Sequence, residues 1–160
     1  MPWISIDLKT LTTKKAGIGR YSINLSKHLL KHRAFDYFGI SGPETDRELL
    51  RSLTWDQERH FAVRSTMIRS ALLPFFLPKY IDLHHALDNS GILPLGRKIK
   101  RITTIHDVLV FLYPQHFSRK HRYVVGHLTK YAINSSDHII TVSESTKNEI
   151  LDLFVCRYRR

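Results

Sequence analysis

The segment Arg101-Ile102-Thr103-Thr104-Ile105-His106-Asp107 decides the fold prediction for this chain. Its β-branched residues favour a packed strand, and the run ends in an imidazole and a carboxylate. In open α/β sheets, ligands bind beyond the carboxyl ends of the strands. His106 and Asp107 are therefore candidates for a functional site. The same pattern also fits a histidine that only caps the strand and an aspartate that only opens a turn.

Segments with strand and helix patterns alternate on both sides of this run. Such alternation is typical of a parallel sheet that is covered by helices on both faces. We therefore predict an α/β fold, a Rossmann-like three-layer domain with a mainly parallel sheet, over residues 1–154. The predicted strands lie near residues 3–8, 35–40, 60–63, 80–84, 101–105 and 138–142.

Helical periodicity predicts the segments between these strands. The predicted helices cover about residues 21–30, 44–53, 66–77, 118–134 and 143–153. Ser118 and Ser143 are placed to cap the last two helices. The buried stripe that we predict for the helix after Ser118 consists of Tyr123, Val124, His127, Leu128, Tyr131 and Ala132.

The charge balance is the unusual bulk property of these 160 residues. There are 25 Lys and Arg against 14 Asp and Glu, which gives a formal net charge of +11. An anionic partner is expected. Nucleic acid is disfavoured as that partner, because the sequence has no zinc-type Cys/His spacing, no aromatic RNA-binding signature and no recognition helix. The single cysteine, the lack of a signal peptide and the lack of a long apolar run predict a cytoplasmic protein.

The segment Gly17-Ile18-Gly19-Arg20 follows the first predicted strand and precedes a helix. A loop of this kind can direct backbone N–H groups and the positive end of a helix at a phosphate. It lacks the third glycine of a dinucleotide fingerprint and the Lys-Ser/Thr of a P-loop. A turn that needs positive φ is an equally good interpretation.

Two interpretations fit the apolar segment at residues 66–77. The favoured one is a core helix that ends at Pro74 and Pro78. The other is a basic amphipathic segment on an anionic membrane surface, with aromatic rings against the bilayer and cations at the head groups. The residues assigned to that surface are Arg64, Arg69, Phe75, Phe76 and Lys79.

Four short segments together resemble a known family. They are Gly17-Ile18-Gly19-Arg20-Tyr21, Asp82-Leu83-His84-His85, Thr104-Ile105-His106-Asp107 and the segment at 136–147, Ser-Asp-His-Ile-Ile-Thr-Val-Ser-Glu-Ser-Thr-Lys. In order and spacing they resemble the N-terminal half of a GT-B glycosyltransferase of family 4, the large group that includes bacterial mannosyltransferases and sucrose synthases. The resemblance extends from Trp3 to about Phe154.

The resemblance implies two Rossmann-like domains that face each other across a cleft. The C-terminal domain would hold a nucleotide sugar, a UDP- or GDP-hexose, and the N-terminal domain would recognise a glycan or lipid-linked acceptor. No metal ion or permanently bound cofactor is expected. The resemblance assigns Gly17, Gly19 and Arg20 to the donor phosphates, His84 and His85 to the acceptor side, His106 to the transferred sugar, and Asp107 to fixing the loop or His106.

The chain also departs from this family pattern. After residue 154 we expect only a basic tail, residues 155–160, and no donor-binding domain. We therefore expect a retaining-type hexosyltransferase half that is inactive alone and needs a donor-domain partner, located in the cytoplasm or peripherally at the inner membrane face. The alternative is a non-catalytic module that binds an anionic ligand or a partner protein.

Overall fold

The sheet is the framework of the molecule. The computed structural model describes residues 1–12, 16–32, 34–93 and 99–155, so the predicted tail lies outside the described residues from 156 onward. Six strands form one sheet in the described part, and each neighbouring pair is parallel, in the order β3-β2-β1-β4-β5-β6. The α/β, Rossmann-like prediction is confirmed. The strands are β1 (Trp3–Asp7), β2 (Asp36–Ser41), β3 (Gln57–His60), β4 (Ile81–Ala86), β5 (Lys100–Ile105) and β6 (His138–Thr141).

Helices connect most of the strands. Side-chain caps open several of them, and Ser118 and Ser143 accept the expected N–H groups of His121 and Thr146. A 3₁₀ turn at Pro114–His116 and a π-helical turn at Leu151–Val155 complete the regular structure. The α-helices are α1 (Ala16–Leu29), α2 (Arg47–Arg51), α3 (Thr66–Phe76), α4 (Leu109–Leu112), α5 (Arg119–Ser135) and α6 (Glu144–Ile150).

The third strand lies earlier than predicted. The sequence predicted residues 60–63, whereas β3 is Gln57–His60, an edge strand whose four side chains are all exposed. The apolar character of Phe61 serves a different purpose, because its ring stacks on that of Phe76 at 4.5 Å between centroids. Phe61 therefore packs against α3 and does not extend the strand.

The predicted helix over about residues 66–77 is confirmed as α3, which stops before Pro78, but the predicted end at Pro74 is wrong. The helix continues to Phe76 with Pro74 inside it. Proline has no N–H to give the carbonyl four residues earlier, which here belongs to Ser70. That carbonyl instead accepts the backbone N–H of Leu93 at 3.0 Å, so the loop after β4 satisfies the group that the proline leaves open.

The two helical layers divide the connections between them. On one face of the sheet, the core contains Ile6 of β1, Tyr37 of β2 and Leu50 of α2, and side chains of α1 pack against them. The core on the other face joins Phe38 to Leu73 of α3. Adjacent residues of β2 thus point to opposite layers, as a pleated strand requires.

Helices α3 and α5 lie in the same layer. The Ser70 hydroxyl of α3 donates to the carbonyl of Gly91 at 3.0 Å. A Cβ on Gly91, whose φ is +53°, would lie 3.0 Å from Cβ of Ala132 in α5. The loop after β4 is therefore packed between the two helices. On β5, Thr103 bonds Ser136 at the end of α5, whereas the next residue, Thr104, bonds Tyr21 of α1 in the opposite layer.

The buried side of α5 is rotated from the prediction. Tyr123 and Tyr131 are 62% and 37% exposed, and His127 is exposed. Of the predicted stripe, Leu128 and Ala132 are buried and Val124 is partly buried, so the prediction is correct for that ridge only. The residues actually buried are Gly126, Leu128, Thr129, Ala132 and Ile133.

Candidate functional site

His106 lies one residue past the end of β5, and three neighbours hold it, two through the ring and one through the backbone. Its Nε2–H donates to the carbonyl of Leu87 at 2.9 Å, and its backbone N–H donates to Oδ1 of Asn89 at 2.8 Å. Tyr21 meets the ring edge to face, with centroids 5.1 Å apart. A neutral imidazole that donates through Nε2 carries its lone pair on Nδ1. In the neutral ring, Nδ1 is therefore the nitrogen that is available to accept a hydrogen bond.

Asn89 holds both residues of the strand-end pair. While its Oδ1 accepts from His106, its Nδ2 donates to the backbone carbonyl of Asp107 at 2.8 Å. The carbonyl of His106 accepts from the Thr146 hydroxyl of α6 at 3.2 Å. The Asp107 carboxylate is exposed and accepts the backbone N–H of Leu109 at 3.1 Å, where α4 begins. One amide side chain thus ties the end of β4 to the end of β5.

Asn89, His106 and Asp107 line a cavity of about 570 Å³ at the carboxyl edge of the sheet. Ligand pockets of small molecules commonly have volumes of ~300–1,000 Å³. The walls come from the loop after β4, the end of β5 and the first half of α5. The lining is polar at Asp88, Asn89, Ser90, His106, Asp107, Ser118, Lys120 and His121, and mainly apolar at Ile18, Val124, Val125 and Leu128.

A buried ionic network lies beside the cavity at the ends of β1 and β4. Asp7, 2% exposed, forms two hydrogen bonds with Arg69, of 2.7 Å and 3.2 Å. Lys9 lies 3.2 Å from Asp88 and also bonds the Ser90 hydroxyl. Burial acts to raise the pKa of Asp7, but the charges of Lys9 and Arg69 outweigh it and hold the pKa below its usual value. Asp7 is therefore a buried anion.

The structure contradicts the assignment of Arg69 to a membrane surface. Its side chain is 2% exposed, and it also bonds the Phe61 carbonyl at 2.8 Å and lies 5.1 Å from the Phe61 ring centroid. The guanidinium is held inside because it neutralises Asp7. The other residues of that set are at the surface or near it: Arg64 and Lys79 are exposed, Phe75 is 66% exposed, and Phe76 is half-buried.

His84 and His85 are buried within β4. The Nδ1 of His84 lies 2.9 Å from the Ser5 hydroxyl, and Nε2 of His85 lies 3.1 Å from the Thr104 hydroxyl, which also meets Tyr21 at 3.0 Å. Burial lowers the pKa of His84 to about 3 and that of His85 to about 4. Both rings are neutral parts of the sheet interior. Neither lines the described cavity.

The glycines expected in a loop lie in the first turn of α1, which begins at Ala16. Neither Gly17 nor Gly19 has positive φ, so the turn interpretation is wrong. Gly19 is required for another reason, since a Cβ there would lie 2.1 Å from the backbone oxygen of Thr12. Gly17 faces open space, and Arg20 is exposed.

Sequence reasoning missed the roles of Asn89, Lys9 and the Asp7–Arg69 pair. A signal for Asn89 existed, because Asp88-Asn89-Ser90 follows a predicted strand in the same way as His106-Asp107 does. No comparable signal marked Arg69. In the described part of the chain, no group of three or more His, Cys, Asp or Glu side chains could hold a metal ion. No helix in that part has the length and apolar character that crossing a membrane requires.

Comparison with known proteins adds one match. The model of the family described as Glycosyltransferase Family 4 matches residues 16–159. No curated protein matches the chain, and no solved structure does. The matched range includes α1 and the whole cavity lining, and of the ionic network it includes Arg69 and Asp88 but not Asp7 or Lys9.

Proposed function

The chain belongs to glycosyltransferase family 4, and from this premise we propose that it is the N-terminal, acceptor-recognising domain of a retaining hexosyltransferase. Membership implies, in general, a nucleotide-sugar donor and an acceptor. The proposal adds that the donor is a UDP- or GDP-hexose and that the acceptor is a glycan or a lipid-linked glycan. It also places the reaction in the cytoplasm, at the inner face of a membrane.

The observation that carries the proposal is the fixed ring of His106 in the wall of the cavity. Two contacts hold the ring, and a third holds the backbone of His106, at the carboxyl end of β5, where this fold binds ligands. Because Nε2–H is engaged by the Leu87 carbonyl, Nδ1 is the ring atom that would accept a hydrogen bond from a hydroxyl of the transferred hexose. A polar group positioned in advance costs no reorganisation during the reaction. Asp107 shapes the loop through Leu109 rather than acting as a base.

The first turn of α1 is the proposed contact for the donor phosphates. Its N–H groups precede the first helical hydrogen bonds and favour an anion. The close approach of the Thr12 carbonyl oxygen requires a glycine at position 19 of this turn. Exposed Arg20 would add a positive charge beside the phosphates. Gly17 would leave room for a phosphate oxygen.

The acceptor would enter between the loop after β4 and the first turns of α5. Polar groups of Asn89, Ser90 and Lys120 line this entrance, and Val124 offers an apolar wall. His84 and His85 would act on the acceptor side only through the sheet that they build. Transfer would also need a donor-binding domain, supplied by the same polypeptide or by a partner chain, so the 160 residues alone would not turn over.

The test is a transfer assay with radiolabelled UDP- and GDP-hexoses and membrane-extracted acceptors. We expect no turnover with the 160 residues alone, and turnover when a family 4 donor-binding domain is added. In that mixture His106→Ala should lower the rate by about 10²–10³-fold. The control is His28→Ala, an exposed histidine of α1 far from the cavity.

Turnover by the 160 residues alone would overturn the requirement for a second domain. An unchanged rate in His106→Ala would remove His106 from the site. Binding of a sugar nucleotide with no transfer in any mixture would favour the alternative, a non-catalytic module for an anionic ligand or a partner protein, which the net charge of +11 also allows.

A further inference from the structure

The outward side of α5 carries cations and aromatic rings. No Asp or Glu occurs between Asp107 and Asp137, so no carboxylate of this segment neutralises them. We call this surface the α5 face. Its exposed residues are Arg119, Lys120, Arg122, Tyr123, His127, Lys130 and Tyr131.

The cations of the α5 face lack internal anionic partners. Among the described residues, none of its four Lys and Arg side chains takes part in an ion pair, whereas surface cations nearby do. Lys100 pairs with Asp137 at 3.2 Å, and Lys147 pairs with Glu144 at 3.1 Å. A concentration of unneutralised like charge on one helix favours an external anion.

The neighbouring helix of the same layer carries exposed apolar side chains. On α3, Ile68 is 53% exposed, Leu72 48% and Phe75 66%. The loop between the two helices bonds α3 through Ser70 and contacts α5. Because both helices cover one face of the sheet, their outward sides lie on the same side of the molecule. The apolar ridge of α3 and the basic face of α5 therefore both face outward on one side of the molecule, and the two together are called the α3–α5 surface.

We propose that this surface docks on an anionic lipid bilayer. The cations of α5 would lie at the head groups, its tyrosines at the boundary where amphipathic rings reside, and the side chains of Leu72 and Phe75 in the outer acyl region. Cations close to an anionic membrane each add to its binding. A nucleic acid would satisfy the charges but would leave the aliphatic side chains of α3 in water.

The docking itself does not depend on the proposed function, but its biological role, the delivery of an acceptor, rests on it. The cavity lining includes Ser118, Lys120 and His121 at the start of α5, so the docked surface reaches the rim of the cavity. An acceptor held in the membrane would then meet His106 without leaving the bilayer. Arg69 plays no part in the docking, because it is buried against Asp7.

The test is flotation of the 160-residue chain with vesicles of phosphatidylcholine, with and without phosphatidylglycerol. We expect binding that requires phosphatidylglycerol and weakens with salt. The triple variant Arg119→Gln, Arg122→Gln and Lys130→Gln should bind about 100-fold more weakly, at about fivefold for each cation lost. The variant Leu72→Gln with Phe75→Gln should also weaken binding while preserving the preference for phosphatidylglycerol.

The matched control changes the same number of charges in the opposite layer. Lys27, Lys31 and Arg51 are exposed on or beside the first two helices, and their triple replacement by Gln should reduce binding by less than about threefold. Circular dichroism verifies that each variant is folded.

Equal losses in the two triple variants would overturn the assignment to α5. Absence of vesicle binding, or binding to duplex DNA with the same dependence on α5, would overturn the bilayer as the partner. Since no sugar transfer is measured, failure here leaves the proposed function untouched, and failure of the transfer assay leaves the docking result standing.

Discussion

The carboxyl edge of the sheet has an interior, at the ends of β1 and β4, and a rim, at the end of β5. Residues of the same type differ in burial between these two regions. Histidines of the interior, His84 and His85, are buried inside β4, whereas His106 lies beyond β5 in the wall of a cavity. Arg69 is enclosed by the interior, while Arg64, just before α3, is exposed. Position relative to the strand end therefore separates polar groups that build the sheet from those available to a ligand.

The largest expected effect comes from removing the interior arginine. Arg69→Met would leave Asp7 buried without its principal partner, and breaking a buried pair in this way costs about 3–5 kcal/mol. Lys9 lies 3.9 Å from Asp7 and does not replace the two direct bonds. We therefore expect the free energy of unfolding to fall by at least about 3 kcal/mol. The measurement is the free energy of unfolding in urea at neutral pH.

An exposed arginine just before α3 provides the control. Arg64→Met changes the same charge at an exposed position and should alter the free energy of unfolding by less than about 0.5 kcal/mol. Equal losses in the two variants would show that burial does not distinguish the two arginines as the structure indicates.

A smaller effect is expected from the two glycines of α1. In Gly19→Ala, the new methyl group would lie 2.1 Å from the Thr12 carbonyl oxygen, and both groups belong to the backbone framework, so the shift needed should cost about 2–3 kcal/mol. Gly17→Ala meets nothing within 4 Å and should stabilise the helix by about 0.5–1 kcal/mol. Urea unfolding measures both. If both variants lose stability by similar amounts, Gly19 is not more crowded than Gly17, contrary to the structure.

The sequence was sufficient for the features that depend on local pattern. Alternation of strands and helices predicted the parallel sheet, and Ser118 and Ser143 begin their helices as expected. It was insufficient where partners are distant. Arg69 is buried because of an aspartate 62 positions away, and a local window contains no trace of that pairing. For the same reason, an amphipathic pattern could not tell which ridge of α5 would face the core.

A further effect concerns acid and arises from the two buried histidines of the interior. Burial lowers the pKa of His84 to about 3 and of His85 to about 4, from an ordinary value of 6.5. Between each lowered pKa and 6.5, the histidine binds a proton in the unfolded chain but not in the folded chain. Stability is therefore greatest above pH 6.5 and falls as the pH decreases. Each histidine should remove about 1.5 kcal/mol between pH 6.5 and about pH 5. Asp7, whose pKa is also lowered, adds to the loss only below its ordinary value of 3.8.

Urea unfolding at several pH values checks this slope, and a variant assigns it. His85→Gln can keep a hydrogen bond to the Thr104 hydroxyl but has no titrating ring, so the loss of stability on acidification should decrease by about half. The replacement also leaves Thr104 able to bond Tyr21, which keeps the packing of α1 on β5 comparable. If His85→Gln shows the full wild-type slope, the acid sensitivity does not arise from the rings inside β4, and burial within the strand is not what distinguishes them from the histidine at the rim.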